Sequence, residues 1–85
     1  KPGRYSFKLK ASKTGTVKKL NSKQITIIAR LLGAPKQKGA GIFLDKKIGN
    51  TVEKGDTIYT LYSENENDLK KTKDAIQKFP IATII

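Results

Sequence analysis

Eighty-five residues make one domain with a modest core, and the absence of cysteine and histidine removes disulfides, thiolate metal sites and the commonest general base. The formal net charge of +11, from 18 Lys and Arg against 7 Asp and Glu, raises nucleic acid as a partner. The cations are spread over every segment, arginine is confined to Arg4 and Arg30, and no aromatic residues interleave with them along the chain; a Lys-rich solvated surface is therefore favoured over a basic nucleic-acid-binding module.

Tyr5, Phe7, Leu9 and Ala11 alternate with Ser6, Lys8 and Lys10, the period of a half-buried strand. Ser12 to Gly15 reads as a turn. Thr16, Val17 and Leu20 predict a second short strand with Lys18 and Lys19 facing water. Asn21 or Ser22 then caps a helix from Ser22 to Leu32, with Ile25, Ile28, Ala29 and Leu32 on one face. Ile25, Ile27 and Ile28 are read as core. Gly33 stands where a left-handed C-terminal cap falls, and Pro35 prevents continuation.

Residues 36–41 form a loop. Its Gly39-Ala-Gly41 is not read as a phosphate cradle, because such a cradle needs a strand before it and a helix after it, and here the order is reversed. Two short β-runs follow, Ile42 to Leu44 and Thr57 to Tyr62. They flank turns at Gly49 and at Gly55-Asp56, with Val52 as a lone apolar anchor between them. A second helix is predicted from Asp68 to Phe79, capped by Asn67, with Leu69, Thr72, Ile76 and Phe79 on its apolar face. Pro80 stops it.

Ile81 to Ile85 reads as a final strand, expected beside the first one so that the termini meet. Thr14-Gly-Thr-Val17 and Gly55-Asp-Thr-Ile58 echo each other, as two half-units of a small sandwich would. The chain opens on Lys1 and closes on an apolar β-prone run, which suggests a domain of a longer protein. No apolar run has the length of a membrane span and no signal-peptide pattern opens the chain, so a soluble, cytoplasmic protein without a membrane partner is expected.

Ile48-Gly-Asn-Thr-Val-Glu-Lys-Gly-Asp56 resembles the turn of biotinyl and lipoyl carrier domains. That resemblance implies an α+β fold, a small barrel-sandwich hybrid of short strands with two helices. Counting from Gly55, the position of the modified lysine in those carriers falls on Asn65, which has no amine to acylate. Lys70 and Lys71 nearby are read as solvated helix-surface residues. A carrier or adaptor role stays as the alternative to the reading that follows.

A longer resemblance runs through Ala11-Ser-Lys-Thr-Gly-Thr-Val17, Ile28-Ala-Arg-Leu-Leu-Gly-Ala-Pro35, Lys38-Gly-Ala-Gly-Ile-Phe-Leu44 and Val52-Glu-Lys-Gly-Asp-Thr-Ile-Tyr-Thr-Leu-Tyr62, followed by the Leu69-bearing helix. In this order the segments resemble the C-terminal domain of the thymidine and pyrimidine nucleoside phosphorylase family, most of all its archaeal AMP phosphorylase branch. The resemblance implies a homo-oligomeric enzyme in which phosphate displaces the base of a nucleoside or nucleoside monophosphate.

It also implies that the phosphate- and base-binding residues lie in preceding helical and α/β domains of the same polypeptide. No catalytic, cofactor-binding or metal-ligating residue is therefore assigned within residues 1–85. Asp45, Glu53, Asp56 and Glu64 could form an acid–base pair, but turn and cap roles fit their Gly/Asn-rich settings better, and their spacing does not suit a metal loop.

Overall fold

The computed structural model describes residues 4–34 and 38–85. Six short strands and two helices follow one another as β1 (Tyr5–Lys10), β2 (Gly15–Leu20), α1 (Ser22–Leu32), β3 (Gly41–Leu44), β4 (Thr51–Val52), β5 (Thr57–Ser63), α2 (Glu66–Lys78) and β6 (Ala82–Ile84). The fold is α+β, with two open three-stranded sheets ordered β1-β5-β3 and β4-β2-β6.

All strand pairs are antiparallel. In the first sheet, Tyr5, Phe7 and Leu9 face the helices together with Leu61, Tyr59, Ile42 and Leu44. Lys73 of α2 places its ammonium 4.7 Å from the Phe7 ring centroid, which fixes that face. On the opposite face, Lys8, Thr60 and Phe43 stand in one row and Ser6, Tyr62 and Gly41 in the next. The core joins this helix-covered face to Ile28 and Leu32 of α1, Leu69 and Ile76 of α2, and Val17, Val52 and Ile81 from around the second sheet.

The register of β2 explains its irregular sequence. Val17 pairs with Ile84 and Lys19 with Thr83, which leaves Lys18 as an extra, bulged residue. The bulge resets the alternation. Val17 and Leu20, three residues apart, can both turn inward while Lys18 and Lys19 both face water.

The expectation that Ile81 to Ile85 pairs with the first strand is corrected: β6 lies on β2. The outer edge of β1 carries no strand among the described residues, and β6 instead takes the side of β2 opposite the two-residue β4. The N-cap of α2 is also corrected, from Asn67 to Asn65. The Asn65 side chain accepts the Asp68 amide at 3.1 Å, so the helix starts two residues earlier.

Phe79 lies beyond the last turn of α2 and is 63% exposed, so it is not part of the buried stripe of Leu69, Thr72 and Ile76. Ile27, read as core, is 52% exposed, because α1 buries only the side that carries Ile28 and Leu32. The cap of α1 is Asn21, whose side chain accepts the Gln24 amide at 3.0 Å, and Gly33 ends the helix at φ 116°. Pro35, Lys36 and Gln37, which bear on the helix stop and the following loop, lie outside the described residues.

Candidate functional site

The Gly55-Asp56 turn is a structural joint. Asp56 Oδ2 accepts the Glu53 amide at 2.9 Å, and the Asp56 amide donates to the Glu53 carbonyl at 2.9 Å. Gly55 adopts φ 94°, a left-handed value that costs a side-chain-bearing residue dearly. From there its amide donates to the Ala11 carbonyl at 2.9 Å, while the Ala11 amide donates to the Asp56 carbonyl at 2.8 Å. The Lys54 amide reaches Thr14 Oγ1 at 3.3 Å. The two segments that echo each other in sequence are thus tied together where the chain passes from one sheet to the other.

The remaining polar residues that the sequence singles out are also engaged structurally. Asp45 Oδ2 accepts the Thr60 hydroxyl at 2.9 Å. Glu53 and Glu64 are exposed. Lys70 sits 3.7 Å from Glu66, one turn back on α2, and Lys71 is exposed, as expected of solvated helix lysines. Among the described residues, no three His, Cys, Asp or Glu side chains converge to hold a metal ion.

Asn65 is not at the tip of a hairpin. It is the first residue outside α2, and its side chain is committed to the helix amides. Its own amide donates to Ser63 Oγ at 3.1 Å. A residue placed there points into a helix N-terminus, where the swinging attachment point of a carrier lysine has no counterpart.

Two features escape sequence reading. The Tyr59 side chain is fully buried and its hydroxyl has no hydrogen-bond partner among the described residues. Burial pushes its pKa up to about 12, so the phenol is neutral at ordinary pH and offers neither a base nor a nucleophile. The second is a groove of about 370 Å³ walled by Leu9, Ile58, Ile76 and Ile84, with Lys10 and Lys13 also lining it. Its walls come from β1, β5, α2 and β6, so no local motif announces it.

Charge is distributed unequally along the fold. Residues 4–63 carry thirteen Lys and Arg against three acids, and residues 64–85 carry four against four. The Lys70–Glu66 contact is the one salt bridge among the described residues. No helix among them is long and apolar enough to cross a membrane.

Residues 16–81 match the pyrimidine nucleoside phosphorylase C-terminal domain. The chain is 46% identical over 68 residues to an AMP phosphorylase of Methanocaldococcus jannaschii, covering 80% of this chain and 14% of that protein. It is 43% identical over 76 residues to the AMP phosphorylase of Methanosarcina barkeri, 89% of this chain and 15% of the other. Against the AMP phosphorylase of Methanosarcina acetivorans it is 48% identical over 64 residues, 75% and 13% respectively. The chain therefore spans about one seventh of the length of the curated relatives it matches. With a match that runs from β2 to the last residue before β6, the chain belongs to the pyrimidine nucleoside phosphorylase C-terminal domain family.

Proposed function

We propose that residues 1–85 are a single accessory domain at the C-terminal end of a larger nucleoside or nucleotide phosphorylase of the archaeal AMP phosphorylase type. In the parent reaction an oxygen of inorganic phosphate bonds to the anomeric carbon of AMP or a pyrimidine nucleoside. The carbon–nitrogen bond breaks, the base leaves with the electron pair, and a sugar phosphate remains. The parent is thus a phosphate-dependent glycosyltransferase, read as cytoplasmic and homo-oligomeric. Its phosphate and nucleoside contacts belong to the preceding helical and α/β domains.

The observation that carries this reading is the family match across residues 16–81, with relatives named AMP phosphorylase. The local chemistry supports the division of labour. Asp56, Asp45 and Asn65 each spend their side chains on a turn, a strand hydroxyl or a helix cap. Phosphorolysis calls instead for preorganised donors converging on phosphate and on the leaving base. In this proposal the domain packs on the central domain, braces the substrate cleft and supports assembly. Its two sheets, joined at the paired 11–14 and 53–56 turns, are read as a barrel-sandwich hybrid.

The test compares three proteins in a phosphate-dependent assay of adenine release from AMP: a full-length relative, the same protein lacking the region matched here, and the 85-residue chain alone. Activity only in the full-length enzyme, with loss of assembly on deletion, is expected. Phosphate-dependent cleavage by the isolated chain would overturn the reading, as would full activity and unchanged assembly after deletion.

A further inference from the structure

The groove of about 370 Å³ opens where the edge strands of the two sheets, β1 and β6, come together beside the last turns of α2. Its walls are aliphatic, from Leu9, Ile58, Ile76 and Ile84. Its charge is of one sign. Lys10 and Lys13 line it, and among the described residues no Asp or Glu does.

Lys10 reaches the groove because the strand pairing is irregular. Between Leu9 and Lys10 the β1–β5 register shifts: Lys10 pairs with Thr57, and Ile58 is left as an extra residue on β5. The shift ends the alternation that turns Ser6 and Lys8 away from the helices, so Lys10 and Ile58 both line the groove. Ser12 and Lys13 follow at the same end. Neither lysine is in a salt bridge among the described residues. Residues 4–44 carry no acid at all. Asp56, across the joint from Ala11, spends Oδ2 on the Glu53 amide at 2.9 Å, and Glu53 and Asp74 are exposed.

We propose that this groove binds a small carboxylic acid with an apolar chain, the chain lying on the four aliphatic walls and the carboxylate at the Lys10–Lys13 end. Aliphatic walls select the chain, and two cations without an acid among the lining residues select an anion. At roughly 30 Å³ for each water-sized group, the groove holds about a dozen non-hydrogen atoms, the size of a ten-carbon carboxylate. A phosphate ester fits less well. No arginine lines the groove, and α2 brings its C-terminal end there, whose partial negative charge opposes a dianion. This inference stands on the geometry of the groove and does not depend on the phosphorylase reading.

The test is an NMR titration of side-chain methyls in the 85-residue chain with decanoate below its micellar concentration, beside decanol, octanoate and decyl phosphate. Circular dichroism melts verify that each variant is folded. Saturable shifts at Leu9, Ile58, Ile76 and Ile84 are expected with decanoate. Octanoate, with two fewer methylenes to bury, is expected to bind roughly 3- to 15-fold more weakly. Lys10→Glu, at an exposed position, is expected to weaken decanoate roughly 3- to 30-fold and to leave decanol unchanged. Lys23→Gln, in the first turn of α1, is expected to change neither.

Decanol binding as tightly as decanoate would overturn the proposal, since the lysine stems would then only cover an apolar wall. Tighter binding of decyl phosphate would overturn the carboxylate assignment. Shifts confined to residues outside the groove, an unchanged decanoate affinity in folded Lys10→Glu, or no saturable binding would also overturn it.

Discussion

Ser63 Oγ donates to the Leu32 carbonyl 2.9 Å away, across 31 residues of sequence, and the same oxygen accepts the Asn65 amide at 3.1 Å. Leu32 is the last residue of α1, so its carbonyl is one of those that a helix leaves without an internal partner. One fully buried hydroxyl therefore satisfies the end of one helix and orders the entry to the next. Ser63→Ala removes both bonds and is expected to cost about 1–3 kcal/mol of folding free energy. Urea unfolding of the two proteins measures it; a difference within error would deny the hydroxyl this linking role.

Tyr59→Phe is expected to stabilise the domain by about 1 kcal/mol, because it deletes a buried hydroxyl that has no partner among the described residues. The gain should grow in alkali. The phenol ionises near 10.0 when free and near 12 when folded. Below pH 10 both states keep the proton and this group adds no pH dependence. Between 10 and 12 the unfolded state releases it first, so the parent protein loses about 1.4 kcal/mol per pH unit that the Phe variant keeps. Melts of the pair at pH 8, 10 and 11 check the divergence, with lysine titration common to both.

Replacing Asn65 by Ala should cost about 1 kcal/mol, the usual worth of a helix N-cap, whereas Asn67→Ala, inside the first turn, should stay within about 0.5 kcal/mol. Asn65→Lys should likewise lose the cap. After co-expression with a biotin or lipoate ligase its intact mass is expected to be unchanged, since the lysine sits on a helix start. A mass gain would reinstate the carrier reading.

Gly15→Ala should be among the most damaging single changes. A Cβ there would run into the Ile85 carbonyl oxygen and lie 2.9 Å from Ile84 Cγ2, so β6 must shift off β2. A loss of at least about 2 kcal/mol is expected, with faster amide exchange at Thr16 and Ile85, whose amides donate to each other's carbonyls. Protection equal to that of the parent would show that β6 accommodates the methyl without moving.

The elements that announce themselves locally are legible in the sequence. α1 has an Asn cap, a periodic apolar stripe and a glycine stop, and it runs over the residues expected. β1 alternates and is half-buried as its pattern predicts. What the sequence conceals is set by partners far along the chain. The place of β6 is set by its pairing with β2, far back along the chain. Phe79 follows the helical period of α2, yet the helix ends one residue earlier and leaves it in solvent. Phe43, Tyr62 and Lys8 share one face only through the register of three strands, which their linear spacing does not display.

The pairing of β2 with β4 and β6 has a consequence for biosynthesis. Both partners of β2 are encoded after it, and β6 follows only after both helices. On a ribosome, β2 emerges early with its hydrogen-bonding edges unfilled and must wait for residues 82–84 to clear the exit tunnel. The first sheet can close as soon as β5 has emerged. The two halves of the domain should thus acquire protease resistance at different nascent-chain lengths, the second later than the first.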